Sequence, residues 1–259
     1  MRENKNKDSI TYNFTMFDPE EYLHEYYDML GPENTFLLDF YHQFYSTIPA
    51  FRCLLEIGGG PAIYPLISAS SKASRIIFTD YHGPCRDAVQ KWFAGGPESY
   101  NWDPYFEYVC SKERLSCPTL TPDVLKRRLI SKIDSIECCD VLSSKPLVRN
   151  EPVEYNIVSS NFCAESITDN QSMFMKAIRN IISLVRPGAH LVLSMLKSAR
   201  SYRVGSHRFP AYPVDESFME RLLSQEGLIP RIVSIEAEKG RDYAGIMVIT
   251  ARRKDDGNF

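Results

Sequence analysis

The stretch CLLEIGGGPAIY, residues 53–64, decides the fold of this chain. It begins with a short apolar run that has the composition of a buried strand, and three glycines and a proline follow at once. This order predicts a strand that ends in a tight turn and leads into a helix. Glycines let a ligand approach the backbone, and a helix N-terminus favours negative charge, so the turn is suited to a phosphate or a carboxylate.

The rest of the chain repeats the pattern of strand and helix. Strand-like runs stand at residues 53–57, 75–79, 135–139, 155–160, 190–195, 231–236 and 244–251. Alternating strands and helices are typical of a Rossmann-like α/β fold with a mainly parallel sheet. The last two runs are separated by a short polar segment, which predicts one antiparallel strand. We therefore expect a single domain over residues 1–259 with a seven-stranded sheet.

Three segments are predicted to lie outside this sheet. Residues 1–47 are expected to form N-terminal lid helices, interrupted near Gly31, with Asp18 as the N-cap of the first one. Residues 95–134 begin with a stretch rich in Pro, Tyr and Ser and are predicted to form an inserted cap. Residues 197–214 are polar and basic, and we expect them to form a substrate loop.

Composition excludes several classes of protein. The formal net charge of −3 lacks the basic footprint of a nucleic-acid-binding protein, and no stretch approaches the roughly 18 apolar residues of a membrane span. The seven cysteines are odd in number and irregular in spacing, which argues against a disulfide framework and a structural zinc site. We expect a cytoplasmic monomer with reduced cysteines, without metal, nucleic-acid partner or membrane contact.

Acidic residues at the ends of two predicted strands indicate a nucleoside ligand. Ligands of open α/β sheets bind beyond the carboxyl ends of the strands, and an acid about 20 residues after a glycine turn accepts hydrogen bonds from a ribose diol. Asp80 stands at this position, while Asp140 and Val141 follow the third run and are suited to an adenine edge. The turn lacks Gly-x-Gly-x-x-Gly and a Gly-Lys-Ser/Thr ending, which disfavours a dinucleotide oxidoreductase and a P-loop enzyme.

Seven short stretches together resemble one enzyme family. They read FDP and YLHEYY (17–19 and 22–27), IGGGPAIY (57–64), TDY (79–81), CDV (139–141), NFCAES (161–166) and LVRPG (184–188). In this combination the chain, from about residue 12 to residue 252, resembles the nicotinamide, phenylethanolamine and indolethylamine N-methyltransferase family of class I methyltransferases. The resemblance implies S-adenosylmethionine as methyl donor, S-adenosylhomocysteine as product and a small-molecule acceptor.

The resemblance also implies a role for each matching residue. Tyr22 and Tyr27 would close over the methyl donor, Asp80 would bind its ribose, and Asp140 with Val141 would bind its adenine. The remaining residues expected to contact the donor are Gly58, Gly59, Gly60, Tyr64, Tyr81, Cys85, Asn161 and Phe162. Glu165 is expected to face the pocket as a carboxylate that contacts the acceptor, and Glu165 and Tyr22 are the candidate catalytic residues.

Two departures from the family pattern leave the acceptor open. The family's second substrate carboxylate, near the end of the fifth strand, is absent from LSMLK (193–197). Beyond it lies a basic cluster that would clamp a carboxylate or phosphate, made of Arg200, Arg203, His207 and Arg208 with Tyr202 among them. N-methylation of an amine or heteroaromatic nitrogen is the favoured hypothesis. O-methylation of a carboxylate or phenol, and a binding protein without catalysis, are the alternatives.

Overall fold

A computed structural model describes residues 14–148 and 153–255. A short 3-10 turn (Phe14–Met16) precedes the first helix. The helices are α1 (Pro19–Tyr27), α2 (Pro32–Thr47), α3 (Pro65–Ala69), α4 (Gly83–Phe93), α5 (Asp103–Glu113), α6 (Pro122–Lys132), α7 (Gln171–Ser183) and α8 (Glu216–Gln225). The strands are β1 (Phe51–Ile57), β2 (Ala73–Asp80), β3 (Ile133–Cys138), β4 (Ile157–Asn161), β5 (His190–Lys197), β6 (Ser201–Val204), β7 (His207–Pro210), β8 (Leu228–Glu236) and β9 (Gly245–Arg253).

Seven of these strands form one sheet in the order β3-β2-β1-β4-β5-β9-β8. The first five are parallel to one another. Strand β9 runs antiparallel to both of its neighbours, β5 and β8. The prediction of a mainly parallel seven-stranded sheet with one antiparallel strand is therefore confirmed. Chain order reverses between β1 and β4, which is the point where open α/β sheets bind their ligands.

The sheet separates two hydrophobic cores. Along β1, Leu54 belongs to the core shared with α2, α3, α5 and α6, whereas Leu55 belongs to the core shared with α7 and α8. Successive side chains of a strand point to opposite faces, so a strand covered on both sides must be apolar throughout. This is why β1 from Cys53 onwards reads as a continuous apolar run, interrupted only at the buried Glu56.

The predicted helix start at Asp18 is confirmed. The Asp18 carboxylate accepts hydrogen bonds from the backbone N–H of Glu20 (2.8 Å) and of Glu21 (3.2 Å). Pro19 stands at the first helical position, where its missing N–H costs nothing. The predicted interruption is also present, because α1 ends at Tyr27 and α2 begins at Pro32. The part of the predicted lid before residue 14 lies outside the described residues.

Two segments differ from their predicted form. Residues 95–134 contain α5 and α6, which pack on each other and against α2, α3 and β2. None of the residues in this segment lines the cavity described below, so the segment is a helical layer beside the sheet and not a cap. Residues 201–210, within the predicted substrate loop, form the hairpin β6–β7, whose turn is Gly205-Ser206.

Candidate methyltransferase site

A cavity of about 650 Å³ lies at the carboxyl ends of the parallel strands. All thirteen residues predicted to contact the methyl donor line it: Tyr22, Tyr27, Gly58, Gly59, Gly60, Tyr64, Asp80, Tyr81, Cys85, Asp140, Val141, Asn161 and Phe162. They come from α1 and from the segments that follow β1, β2, β3 and β4. Because the carboxyl ends of parallel strands meet at one edge of a sheet, residues far apart in the sequence meet here.

The glycine turn after β1 depends on backbone shapes that other residues rarely adopt. Gly58 and Gly60 have φ angles of 64° and 60°. A Cβ atom on Gly58 would lie 2.2 Å from the Cys163 Sγ, so this position also lacks room for a side chain. A Cβ atom on Gly60 would have no neighbour within 4 Å in the described structure. The backbone of Gly60 therefore borders open cavity.

Asp80 holds this turn in place. One carboxylate oxygen accepts a hydrogen bond from the Gly60 N–H at 2.8 Å, and the other accepts one from the His82 N–H at 2.7 Å. Burial raises the pKa of Asp80, while these two hydrogen bonds act to lower it. Each oxygen has a second lone pair, so the carboxylate can still accept hydrogen bonds from a ligand in the cavity.

Tyrosines of α1 and the glycine turn form a group of neutral hydroxyls. The hydroxyls of Tyr22 and Tyr27 lie 3.3 Å apart, and the rings of Tyr27 and Tyr64 lie 5.2 Å apart. Burial raises the pKa of all three phenols, so they remain protonated hydrogen-bond donors at neutral pH. The Tyr64 hydroxyl is buried beside the Tyr27 and Tyr41 hydroxyls, and no hydrogen bond of good geometry satisfies it among the described residues. A buried polar group without such a bond is costly, so a hydrogen bond from a ligand to this hydroxyl would be favourable.

The end of β4 is fixed by a buried network that the sequence did not reveal. The Tyr41 hydroxyl donates to the Asn161 Oδ1 (2.7 Å) and lies 2.6 Å from the Ser194 Oγ. The Asn161 amide donates to the Glu56 Oε1 at 2.8 Å and to the Ser159 Oγ at 3.1 Å. The Asn161 side chain thus bonds within the protein and positions the turn that follows.

That turn is strained at the cavity wall. Phe162 has a φ of 52°, in the left-handed region that residues other than glycine seldom adopt. Its N–H donates to the Ser194 carbonyl oxygen at 2.7 Å, a bond that ties the turn to β5. Such strain persists only where the surroundings impose it, and it occurs often at functional sites.

The residues predicted to bind the adenine also line the cavity. Asp140 and Val141 line the cavity directly after β3, with Cys85 and Tyr81 nearby in the wall. The Asp140 Oδ1 accepts a hydrogen bond from the Leu142 N–H at 2.9 Å, which fixes the carboxylate. Tyr81 is 64% exposed and stands at the rim. Burial raises the pKa of the Cys85 thiol well above its usual value, so this cysteine is an unreactive wall residue.

Glu165 does not line the cavity, contrary to expectation. Its side chain is fully buried behind the wall, and its Oε1 accepts a hydrogen bond from the Leu196 N–H at 3.0 Å. Leu196 does line the cavity, at the end of β5. Burial raises the pKa of Glu165 to about 7. The sequence placed this residue on the correct loop but could not show which way the loop turns its side chain.

The predicted anion clamp is also wrong in its geometry. Tyr202 lines the cavity, but Arg200, Arg203, His207 and Arg208 do not. Alternation along the hairpin β6–β7 buries Tyr202 and turns Arg203 outward. The Arg208 guanidinium bonds to the Ser201 hydroxyl at 2.6 Å and to the Asp242 carboxylate at 3.1 Å. The basic cluster is therefore a solvated outer face of the hairpin.

Several cavity residues were missed by the sequence argument. They belong to the 3-10 turn, α1, α2, β5 and the segment around the start of β9: Phe14, Phe17, Tyr26, Glu33, Asn34, Leu37, Leu196, Tyr243 and Ile246. Phe17, Tyr26 and Leu196 were within quoted stretches but were given no role, and the others carry no signal of their own. Tyr243 and Ile246 extend the cavity away from Asp80 and Asp140, since β9 is separated from β3 by four strands.

The sequence matches the model of the NNMT/PNMT/TEMT family over residues 6–254. The chain belongs to this family. Human nicotinamide N-methyltransferase is 27% identical over 220 residues, which cover 82% of this chain and 81% of that protein. Mouse indolethylamine N-methyltransferase is 26% identical over 248 residues, which cover 92% and 93%. The chain is thus an S-adenosylmethionine-dependent methyltransferase that acts on a small molecule.

A solved structure supports the fold of this methyltransferase. The N-methyltransferase NodS from Bradyrhizobium japonicum, in complex with S-adenosylhomocysteine, aligns with a TM-score of 0.51 at 14% identity. The alignment covers 86% of this chain and 88% of NodS. In residues 14–148 and 153–255, no helix is long and apolar enough to cross a membrane. Within the same residues, no group of three His, Cys, Asp or Glu side chains is placed to hold a metal ion.

Proposed function

We propose that this methyltransferase transfers a methyl group to the nitrogen of a small amine or heteroaromatic compound. The observation that carries the choice of nitrogen is the charge of the cavity wall. Its described lining contains three acidic side chains, Glu33, Asp80 and Asp140, and no lysine or arginine. Asp80 and Asp140 are assigned below to the donor, which leaves Glu33 to face the acceptor. A carboxylate or phenolate acceptor would find no lysine or arginine in this lining and only His82 as an ionisable base, whereas an amine would find a carboxylate. The alternative of O-methylation therefore loses the clamp on which it depended.

The cavity contains groups suited to the methionine portion and the ribose of the methyl donor. The unsatisfied Tyr64 hydroxyl and the neutral Tyr22 and Tyr27 hydroxyls suit the carboxylate of the methionine portion. The open backbone at Gly60 leaves room for that portion above the turn. We assign Asp80 to the ribose hydroxyls, because its carboxylate lines the cavity and can still accept hydrogen bonds from a ligand.

The adenine would lie beside the loop after β3. We assign Asp140 and Val141 to the adenine edge and Tyr81 to one of its faces, with Cys85 in the wall behind. Asn161 and Phe162 would border the sulfonium, because the turn after β4 lies between the glycine turn and β5 in the sheet order. A binding protein without catalysis would not need a complete set of these groups.

Positioning accounts for most of the rate that these residues would provide. S-adenosylmethionine supplies a methyl group on a positively charged sulfur, and transfer to nitrogen leaves the neutral thioether of S-adenosylhomocysteine. An in-line displacement of this kind needs a fixed geometry and an unprotonated acceptor nitrogen. The aromatic wall formed by Tyr22, Tyr26 and Tyr202 would exclude water and hold the acceptor.

Two measurements test this function. A calorimetric titration with S-adenosylhomocysteine should give a dissociation constant in the micromolar range. A screen with a labelled methyl donor against amines, pyridines, phenols and carboxylic acids should give product with amines or pyridines. Transfer to phenols or acids alone would contradict N-methylation, and the absence of heat in the titration would contradict the donor site.

We also propose that the enzyme acts as a monomer in the cytoplasm. The thirteen residues predicted to contact the donor belong to the same chain, so donor binding as proposed above would not need a residue from a second copy. All seven cysteines are free, as expected of a reducing compartment. Light scattering at assay concentration should give the mass of one chain, and a dimer mass would contradict the first part. Fractionation of the source cells tests the second.

A further inference from the structure

The acceptor end of the cavity contains a buried carboxylate that no family motif announces. Glu33 is the second residue of α2, is 5% exposed and lines the cavity. Its Oε2 accepts a hydrogen bond from the Tyr243 hydroxyl at 2.7 Å, and its Oε1 accepts one from the Glu238 N–H at 2.9 Å. These two bonds, one to each carboxylate oxygen, both come from the connection between β8 and β9 and hold the carboxylate in one place.

The charges around Glu33 leave it incompletely neutralised. The nearest cation is the Arg241 guanidinium, 3.9 Å from the Glu33 Oε2 and 4.0 Å from the Glu238 Oε2. Arg241 also lies over the outer face of the Tyr26 ring, 5.2 Å from its centroid, and does not line the cavity. Within this cluster two carboxylates share one guanidinium, so a negative charge remains. A ligand that brings a positive charge or an N–H donor would balance this remaining negative charge.

The end of β5 contributes an apolar side chain to the cavity that Glu33 lines. At the end of β5 the Ser194 hydroxyl is buried against Tyr41, and Leu196 lines the cavity beside Ile246, its partner in β9. No carboxylate is present at this end of β5, where the family pattern has one. The acid at the acceptor end therefore comes from α2 instead of β5.

We propose that Glu33 determines acceptor specificity by accepting a hydrogen bond from the N–H of a primary or secondary amine. This proposal rests on the function proposed above and narrows it. An amine offers both the N–H donor and, when protonated, the missing positive charge. A pyridine-type nitrogen has a lone pair but no N–H, so Glu33 has nothing to accept from it.

Two isomeric acceptors separate this role from a structural one. Benzylamine and 4-ethylpyridine have the same size, but only benzylamine carries N–H groups. Each is titrated into the protein saturated with S-adenosylhomocysteine, using wild type, Glu33→Gln and Glu33→Asp. Glu33→Gln should weaken benzylamine binding about 10- to 100-fold, the range for a hydrogen bond to a charged group. Its affinity for 4-ethylpyridine and for S-adenosylhomocysteine should stay within about twofold. Glu33→Asp keeps the charge and should restore part of the loss.

The matched control is Glu236→Gln, because Glu236 is an exposed acid at the end of β8 that does not line the cavity. It should leave both affinities unchanged. Equal weakening of both isomers by Glu33→Gln would show that Glu33 only ties α2 to the hairpin β8–β9, and no weakening would show that it does not touch the acceptor. A wild-type complex that binds 4-ethylpyridine alone, or neither isomer, would also overturn the proposal. If the proposed methyltransferase function were itself wrong, the result would be different: S-adenosylhomocysteine would not bind to the wild-type protein.

Discussion

Asp80 links the ligand site to the backbone that builds it. Replacement by Ala removes the acceptor for the Gly60 and His82 N–H groups together with any bond to the ribose. Each hydrogen bond to a charged group contributes about 1.5–3 kcal/mol, so we expect Asp80→Ala to weaken S-adenosylhomocysteine binding at least about tenfold. Calorimetry measures this loss. Asp87→Ala, an exposed acid on α4, is the control; an equal loss in both variants would mean that Asp80 has no special place in the site.

Glu165 acts, in this structure, on the wall and not on the acceptor. Glu165→Ala removes the acceptor for the Leu196 N–H, and we expect turnover and thermal stability to fall, with about 1–3 kcal/mol lost in stability. Glu165→Gln keeps an acceptor oxygen at the same distance and should recover most of both. Steady-state rates and thermal unfolding measure the two effects. If the Gln variant folds and binds donor normally but is as slow as the Ala variant, the carboxylate contributes directly to the reaction.

At the scale of elements, we expect the stability of helix α1 to determine how long the ligand stays bound. It carries Tyr22 and Tyr27 into the cavity and begins at the N-cap Asp18. Loss of an N-cap costs about 0.5–2 kcal/mol of helix stability. We expect Asp18→Ala to raise the dissociation rate of S-adenosylhomocysteine severalfold, as measured by surface plasmon resonance.

The control for this prediction is the N-cap of α8. The Asp215 carboxylate accepts from the Phe218 N–H at 2.7 Å, and neither residue lines the cavity. Asp215→Ala should lower the thermal stability by a similar amount without changing the dissociation rate. If both variants speed dissociation equally, α1 does not form a lid over the donor.

Elements were predictable from the sequence where a local signal marks their ends. The start of α1 at Pro19, after its N-cap Asp18, was predicted to the residue, because a capping residue and a proline mark it. Helix α5 was missed because aromatic and β-branched residues obscure its helical spacing, although Tyr105, Phe106 and Val109 are all buried on one side. The hairpin β6–β7 had a signal in the sequence, because Gly205-Ser206 stands between segments in which polar and apolar residues alternate. The many basic residues of these segments led to the prediction of a loop instead.

At the scale of the whole molecule, two buried carboxylates make stability depend on pH. Burial raises the pKa of Glu56 and of Glu165 to about 7, from a usual value of 4.5. The folded state then holds more protons than the unfolded state between these values, so this contribution is present below pH 4.5 and is lost as the pH rises through about 7. The loss per group is on the order of 3 kcal/mol.

Glu56→Gln tests this dependence, because glutamine stays neutral and keeps an acceptor for the Asn161 amide. We expect the melting temperature of wild type to fall between pH 5 and pH 8 by about 5 °C more than that of the variant. Glu220→Gln, an exposed acid on α8, should follow wild type. Parallel curves for wild type and Glu56→Gln would mean that Glu56 keeps a normal proton affinity in the folded protein.

The site was predictable as far as the sheet alone defines it. Strand order brings the ends of β1 to β4 together, which accounts for eleven of the thirteen predicted donor residues; Tyr22 and Tyr27 lie on α1, and only the family resemblance implied them. Side-chain direction was not predictable, because it depends on how a loop packs: Glu165 turns inward to the Leu196 N–H, and the arginines of β6 and β7 turn outward. Glu33 gave no signal, since its surroundings come from a hairpin about 205 residues later in the chain.

The two parts of the cavity come mostly from different stretches of the gene. Eleven of the thirteen predicted donor residues come from the ends of β1 to β4 and the segments after them, and Tyr22 and Tyr27 come from α1, whereas Glu33, Leu37, Tyr243 and Ile246 come from α2 and from the segment around the start of β9. Selection can therefore diversify α2 and the β9 segment for new acceptors while α1 and the central strands are held constant by a shared cosubstrate. Paralogues of this enzyme should diverge first at the positions equivalent to these four, and a survey of duplicated copies in one genome would show it.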